Sequence, residues 1–122
     1  AIDIIINEKM IENVRHLEPI FMGGLKNFED LEFIGESRGI GLMGALEMVQ
    51  DKKSKLPFDG SISIGERVAN KCIENGLICR PLGPSIVLCP PFITTEDEMV
   101  VIFDTLEKTL KEVFNEVKSL GQ

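Results

Sequence analysis

Residues 76–91 read GLICRPLGPSIVLCPP and carry the pattern of a β-hairpin. Two apolar runs, residues 77–80 and 85–89, flank the loop PLGP, whose proline and glycine residues favour a turn. Two prolines follow and end the second strand, because proline has no N–H to donate to a neighbouring strand. Gly76 stands just before the first run, at a place where glycine commonly ends a helix. We therefore expect a helix, a strand, a loop of about four residues and a second strand.

Helical patterns surround this hairpin. Apolar residues recur at helical spacing over residues 2–25, over residues 62–75 and from residue 95 onward. Pro19 lies inside the first of these segments and is expected to kink that helix or to end its regular part.

Polar side chains mark where the second and third helices begin. Ser61 or Ser63 could cap the second helix, since a serine hydroxyl can accept from a free backbone N–H. Thr95 and Glu98 have the spacing of a capping box, in which each residue bonds the backbone of the other.

Residues 31–50 carry a second pair of predicted strands, in addition to the hairpin. Leu31, Phe33 and the apolar run 41–49 predict strands, and the polar residues 36–39 predict a break between them. We expect a turn or bulge near the glycines, followed by a largely buried strand. The order α-β-β-α-β-β-α then predicts an α+β fold, a small and mainly antiparallel sheet with helices on one face. A chain of 122 residues suits a single domain over residues 1–122.

Composition argues against several classes of partner. The 13 basic and 20 acidic residues give a net charge of −7, which disfavours nucleic acid and anionic membrane surfaces. No apolar run approaches the roughly 18 residues of a spanning helix, and no basic leader precedes the first apolar residues. The cysteines Cys72, Cys79 and Cys89 are odd in number and lack CxxC spacing. We interpret them as reduced, mostly buried side chains of a cytoplasmic protein.

Three motifs resemble chemical sites but have simpler structural explanations. Residues 39–44 match GxGxxG, with Asp59 near the place of a ribose-binding acid, yet no buried strand precedes them and no helix follows. His16 lies on the polar side of a helix, which favours solvent exposure over catalysis or metal binding. The cysteine spacing fits no common zinc pattern. We predict no catalytic, cofactor-binding or metal-binding residue among these.

Arg80 is the one candidate for binding a ligand. It stands at the predicted end of a strand, just before the PLGP loop, and on the same face as Ile78. A guanidinium there can project into a cleft and bind a carboxylate through two parallel hydrogen bonds. Position alone leaves open that Arg80 is an exposed or internally paired surface arginine.

Three sequence blocks together resemble the class III aminotransferases, which use pyridoxal phosphate. Residues 37–47, SRGIGLMGALE, are similar to the RGxGLMxxxE block of that family. Residues 72–81, CIENGLICRP, are similar to its GLIxRP block, and residues 86–95, IVLCPPFITT, to its PPxIxT block. Order and spacing also agree over nearly the whole chain. Within the family, residues 77–95 most resemble the omega-amino acid or amine:pyruvate transaminases.

The resemblance implies a C-terminal small domain of fold-type I, separated from its large domain. In such enzymes the Schiff-base lysine, the acid beside the pyridine nitrogen and the phosphate loop belong to the large domain. The parent would transfer an amino group from an amine or omega-amino acid to a keto acid such as pyruvate. Arg80 would pair with the substrate carboxylate and swing aside for an apolar substituent. The resemblance also implies a homodimer, and pyridoxal phosphate in the parent but not on this fragment.

A free-standing α+β binding or regulatory module is the alternative that the residues leave open. The coding region upstream of Ala1 separates the two readings, since an aminotransferase large domain there excludes the module and an initiator Met excludes the enzyme part. An apolar patch along Ile2, Ile5 and Ile6 predicts some self-association of the fragment.

Overall fold

The computed structural model describes residues 2–90 and 94–120, with the side chains of residues 2–10 outside that description. The self-association predicted from Ile2, Ile5 and Ile6 therefore concerns side chains that lie outside the described ones. The elements are α1 (Ile2–Asn27), β1 (Ile34–Ile40), β2 (Met43–Met48), α2 (Ile64–Glu74), β3 (Arg80–Leu82), β4 (Ser85–Leu88) and α3 (Glu96–Leu120). Short 3-10 turns at Phe28–Asp30 and Gly60–Ile62 follow α1 and precede α2.

The described strands form one antiparallel sheet in the order β1-β2-β4-β3. Burial alternates along β2, where Gly44, Leu46 and Met48 are buried and the residues between them are not. α1 and α2 contact the strands on the buried side, and α3 packs on both of these helices and contributes to the same core. The predicted α+β fold, a small antiparallel sheet with helices on one face, is confirmed.

Gly44 allows α1 to lie directly on the sheet. A Cβ atom at this position would overlap the side chains of Leu25 and Phe21, both of which are buried. Around this contact the core is continuous and apolar, since a sheet face and a helix stripe each need an apolar partner. Its fully buried side chains include Leu17, Phe21, Leu25, Leu46, Ile86, Val68, Leu106 and Leu110.

Pro19 does not end the first helix, which continues to Asn27. An interior proline costs about 3 kcal/mol, because it removes one backbone hydrogen bond and crowds the preceding turn. Leu17, Phe21 and Leu25 flank it and are 0%, 0% and 1% exposed. Burial of each such side chain contributes about 1.5–3 kcal/mol, so the three together outweigh the proline.

The polar residues 36–39 belong to β1, so the predicted break there is wrong. The strand lies at the edge of the sheet, where β2 is its one partner among the described strands, and most of its side chains are exposed. Polar residues fit such a strand without cost. The chain reverses at Gly41 and Leu42 instead, between the paired residues Ile40 and Met43.

The capping box at the start of α3 is confirmed. The Glu98 backbone N–H donates to the Thr95 hydroxyl at 3.2 Å, and the Thr95 backbone N–H donates to the Glu98 carboxylate at 3.1 Å. Two of the free N–H groups at the helix start are thereby satisfied.

The cap predicted for α2 is wrong. Ser63 occupies the N-cap position but makes no capping hydrogen bond with its side chain, and α2 begins at Ile64. Asp59 instead caps the 3-10 turn before the helix, by accepting from the Ser61 backbone N–H at 2.9 Å. A carboxylate is the better acceptor here, and its bonds to Ser61 lower the pKa of Asp59.

The predicted stop of α2 is confirmed. Gly76 has φ +90°, the Leu77 N–H donates to the Cys72 carbonyl at 2.8 Å, and the Gly76 N–H donates to the Ile73 carbonyl at 3.1 Å. This pair of bonds is the Schellman motif, which turns the chain back toward the last turn of the helix.

Candidate functional site

Arg80 begins β3, although the sequence pattern placed it at the end of a strand. Residues 77–79 are not paired with another strand, because the turn at Gly76 directs them back against α2 and buries Cys79. Pairing starts where Arg80 meets Val87, and the loop is correspondingly shorter, with Gly83 and Pro84 between Leu82 and Ser85. The guanidinium therefore projects from an edge strand.

The strand registers place Arg80 in a row that crosses the whole sheet. Arg80 pairs with Val87, Val87 with Ala45, and Ala45 with Arg38. Residues directly opposite one another in a sheet share a face. The row thus has an arginine at each edge and two small apolar side chains between them.

This row lies on the side of the sheet that the helices leave uncovered. Leu46 and Ile86, next to Ala45 and Val87 along their strands, are fully buried, whereas Arg80 is exposed. Because side chains alternate along a strand, the two sets point to opposite faces. We call the uncovered side the open face, and define it by Arg38, Ile40, Met43, Ala45, Val87 and Arg80.

A shallow depression of about 320 Å³ runs over the open face beside Arg38. Its lining is mostly apolar and includes Ile40, Met43, Ala45 and Val87. Ile40 is 78% exposed and Met43 is 53% exposed, which is unusual for apolar side chains on adjacent strands. The face offers an apolar floor with a cation at each edge.

The two arginines differ in their local partners. Arg38 lies 4.0 Å from the Glu36 carboxylate, an exposed pair at the limit of an ionic contact. Among the side chains described, those of residues 11–90 and 94–120, none pairs with the guanidinium of Arg80, which is exposed. Its five N–H groups are thus available to an incoming carboxylate.

The glycines of the GxGxxG motif are strand and turn residues, as interpreted from the sequence. Gly39 lies in β1, Gly41 in the hairpin turn with φ +57°, and Gly44 in β2. No helix starts after them, and Asp59 serves as a cap. A phosphate-binding loop would need a helix N-terminus at this point.

His16 is solvent-facing, as predicted. Its side chain is 63% exposed and pairs with Glu96 at the start of α3. The neighbouring Asn13 amide donates to the Thr94 carbonyl at 3.2 Å. These contacts join the middle of α1 to the start of α3. They indicate a structural role for His16.

The described lysines do not fit a cofactor site. A lysine that forms a Schiff base is usually desolvated or beside another cation, which depresses its pKa. Lys52 is half-buried with its ammonium group on the Glu29 carbonyl, while Lys53 and Lys55 are exposed. Among the side chains that the structure describes, no lysine is buried, and no cluster of three or more metal-ligating residues occurs.

The cysteines divide into a buried pair and an exposed one. Cys72 and Cys79 are 0% and 5% exposed, and both thiols are free. Cys89 is free and exposed. The expectation of mostly buried cysteines is confirmed for Cys72 and Cys79 and is wrong for Cys89.

Two features of the molecule were missed from the sequence. Arg38 shares a sheet row with Arg80, and the order β1-β2-β4-β3 that brings them together has no signal in local periodicity. Cys72 and Cys79 stand on either side of the turn at Gly76 and are both buried in the core, and this turn was itself predictable from the sequence.

Residues 1–110 match the family described as aminotransferase class-III. The chain belongs to the class III aminotransferase family. It is 37% identical over 112 residues to an adenosylmethionine-8-amino-7-oxononanoate aminotransferase of Methanocaldococcus jannaschii, covering 92% of this chain and 24% of that protein.

Solved structures of this family share the fold. An omega-aminotransferase from Paracoccus denitrificans matches with a TM-score of 0.90 and 59% identity, over 95% of this chain and 26% of that one. A PLP-bound aminotransferase mutant from Vibrio fluvialis matches with a TM-score of 0.90 and 58% identity, over 95% and 26%. The predicted relation to class III and to fold-type I enzymes is confirmed. The chain spans about a quarter of the length of these proteins.

In the part of the chain that the structure describes, no helix is both long and apolar enough to cross a membrane. The PPxIxT block that contributed to the resemblance includes residues 91–93, which lie outside the described residues.

Proposed function

We propose that this chain is the C-terminal small domain of a pyridoxal-phosphate-dependent aminotransferase. The longer enzyme would transfer an amino group from an amine or omega-amino acid to a keto acid such as pyruvate. The observation that carries the proposal is Arg80, a guanidinium with available donors on the uncovered face of the sheet. The 59% identity to an omega-aminotransferase supports the same reaction class.

Arg80 orients the keto acid in this proposal. Its planar guanidinium offers two parallel N–H groups, which match the two oxygens of a carboxylate. A carboxylate held at that point has its keto carbon in a fixed direction, which lowers the entropic cost of reaching the reactive geometry. When the substrate carries an apolar substituent instead of a carboxylate, the Arg80 side chain swings aside, and the substituent contacts the apolar floor of the open face.

The open face meets the rest of the enzyme. Ile40 and Met43 are more than half exposed, and contiguous exposed apolar surface marks an interaction site. The occupant proposed is the part of the enzyme that the relatives possess and this chain lacks, about three quarters of their length. Contact there excludes water from the cleft into which Arg80 projects.

The cofactor is held by that other part of the enzyme. Pyridoxal phosphate, when bound, acts as an electron sink for the carbon that loses its proton. Because the described lysines are exposed or half-buried, we propose that the chain alone neither holds the cofactor tightly nor transaminates. Titration of the chain with pyridoxal phosphate should give no saturable change in the cofactor's absorbance spectrum. A saturable change that one lysine substitution abolishes would overturn this part of the proposal.

The setting proposed for the longer enzyme is a cytoplasmic homodimer. The free thiols of Cys72 and Cys79 suit a reducing compartment. The net charge of −7 disfavours nucleic acid and anionic membranes as partners.

The test compares two amino acceptors in the longer enzyme, one with a carboxylate and one without. For Arg80→Ala, kcat/KM for pyruvate should fall by roughly 10- to 100-fold, since a hydrogen bond to a charged group contributes about 1.5–3 kcal/mol. The value for an uncharged aldehyde acceptor should stay the same. Arg15→Ala is the matched control, because Arg15 is exposed on α1, in the helical layer.

Equal losses for both acceptors would show that Arg80 acts through the fold, which contradicts the proposed role. Unchanged activity with pyruvate would contradict it as well.

A further inference from the structure

Two carboxylates lie side by side on the uncovered side of the sheet, in the row next to the arginines. The register of β1 and β2 pairs Glu36 with Glu47. Glu47 lies between the buried residues Leu46 and Met48 on β2, so its side chain points away from the helices. The two glutamates therefore stand directly opposite each other at one end of the open face.

The charges at this end of the sheet do not balance within the chain. Like charges directly opposite each other on two strands are destabilising. Arg38 follows two residues after Glu36 and lies 4.0 Å from its carboxylate, at the limit of an ionic contact. Among the side chains of residues 11–90 and 94–120, none is hydrogen-bonded or ion-paired with Glu47. Two carboxylates beside one guanidinium leave an excess of negative charge.

Glu47 is also the carboxylate that a contact over the open face would bury. It is already half-buried, because it lies on an inner strand with β1 on one side and β4 on the other. A segment packed over this side of the sheet would remove the water that still solvates it. Burial of a carboxylate without a cation is strongly unfavourable. Whatever covers the open face therefore has to bring a positive charge to Glu47.

We propose that the part of the longer enzyme that covers the open face carries a basic side chain, a lysine or an arginine, which binds between Glu36 and Glu47. An apolar side chain of the same segment fills the depression of about 320 Å³ beside Ile40 and Met43. The inference rests on the proposed function, which assigns this face to the part of the enzyme that the relatives possess and this chain lacks.

A second copy of this chain fits the same surface less well. Each copy carries a net charge of −7, so two copies repel each other as they approach. The open face of a copy would also bring its own two glutamates to the contact.

The test reverses the charge of Glu47 and follows the accessibility of the open face in the longer enzyme. Met43→Cys in a Cys89→Ser background supplies a thiol, and mass spectrometry of the peptide that contains residue 43 gives its rate of reaction with a maleimide. Glu47→Gln should increase this rate by roughly 10-fold and Glu47→Lys by roughly 100-fold, since unpaired and like charges across an interface are unfavourable.

Glu116→Lys is the matched control for the change of charge. Glu116 is exposed on α3, in the helical layer, and does not belong to the open face. The maleimide rate at residue 43 should stay the same in this variant.

The stability of the chain alone separates a contact with a partner from a role in the fold. Glu47→Lys places a lysine opposite Glu36, where opposite charges are favourable. The urea midpoint of the chain should therefore stay the same or rise. A clear fall in this midpoint would show that Glu47 serves the fold of this chain, and would overturn the proposal.

The remaining outcomes distinguish this inference from the proposed function. A thiol that is protected in the longer enzyme and reacts no faster in either Glu47 variant would overturn the inference alone. A thiol that reacts as fast in the longer enzyme as in the chain would overturn both. Protection in the chain alone that grows with chain concentration would assign the face to a second copy, which also contradicts the proposal.

Discussion

The two faces of the sheet differ in how far their side chains are buried. On the helical face, Leu46 and Ile86 are fully buried and belong to the hydrophobic core. On the open face, Ile40 and Met43 are more than half exposed and Arg80 has its donors available. One face therefore completes the fold of this chain, whereas the other leaves apolar and cationic side chains exposed, and the proposed partner of that face is the rest of the enzyme.

The largest effect expected is a core truncation on the helical face. Leu46→Ala should lower the free energy of unfolding by about 2–5 kcal/mol, because it removes buried methyl groups and leaves a cavity. Met43→Ala, on the open face of the same strand, should change it by about 0.5 kcal/mol or less. Urea denaturation followed by circular dichroism measures both. Similar losses of unfolding free energy for the two variants would contradict the claim that only the helical face is buried.

The second largest effect on stability is expected from a methyl group added on the helical face. Gly44→Ala should destabilise by about 1–3 kcal/mol, since its Cβ would overlap Leu25 and Phe21. Gly23→Ala is the matched control in α1, where the new Cβ has no neighbour within 4 Å. That variant should gain up to about 1 kcal/mol from helix propensity. Thermal or urea unfolding compares them, and a neutral Gly44→Ala would contradict the close packing of α1.

The cap of α3 should have a smaller effect. Thr95→Ala should cost about 1 kcal/mol, because it removes the hydroxyl that accepts from Glu98 at 3.2 Å. Thr95→Ser retains the hydroxyl and should lose much less. The same denaturation experiment measures both, and equal losses would indicate that the threonine methyl group matters more than the cap.

The arginines of the open face should matter least for stability. Arg38→Ala and Arg80→Ala should each change the free energy of unfolding by about 0.5 kcal/mol or less, since exposed charges contribute little. Urea midpoints of the two variants test this. A loss well above 1 kcal/mol for Arg80→Ala would mean that Arg80 serves the fold of this chain.

Much of the fold was predictable from local pattern. The Thr95–Glu98 box predicted the start of the last helix, the spacing of its apolar residues predicted its buried face, and Gly76 predicted the end of α2. These signals are local because backbone hydrogen bonds of helices and turns join residues close in sequence.

The structure departs from the local pattern where tertiary packing outweighs local preference. Pro19 does not end α1, because the side chains around it are buried on one stripe. Residues 36–39 form part of β1 because an edge strand accepts polar side chains. Neither outcome can be derived from the residue types of the segment alone.

The candidate site was only partly predictable. Arg80 was identified from its place beside a proline-rich loop and from the family blocks, although its strand position was wrong. The row that joins it to Arg38 depends on which strands are neighbours, and β4 lies between β2 and β3 in space but not in sequence. Such pairing is a long-range property of the chain.

The most direct test of the proposed contact between the open face and the rest of the enzyme compares the accessibility of that face in the chain alone and in the longer enzyme. Met43→Cys, in a Cys89→Ser background, provides a single exposed thiol on that face, and its rate of reaction with a maleimide is measured in both proteins. If the rest of the enzyme covers the open face, the thiol reacts rapidly in the chain alone and is strongly protected in the longer enzyme. Equal rates in the two proteins would contradict the claim that the rest of the enzyme covers this face.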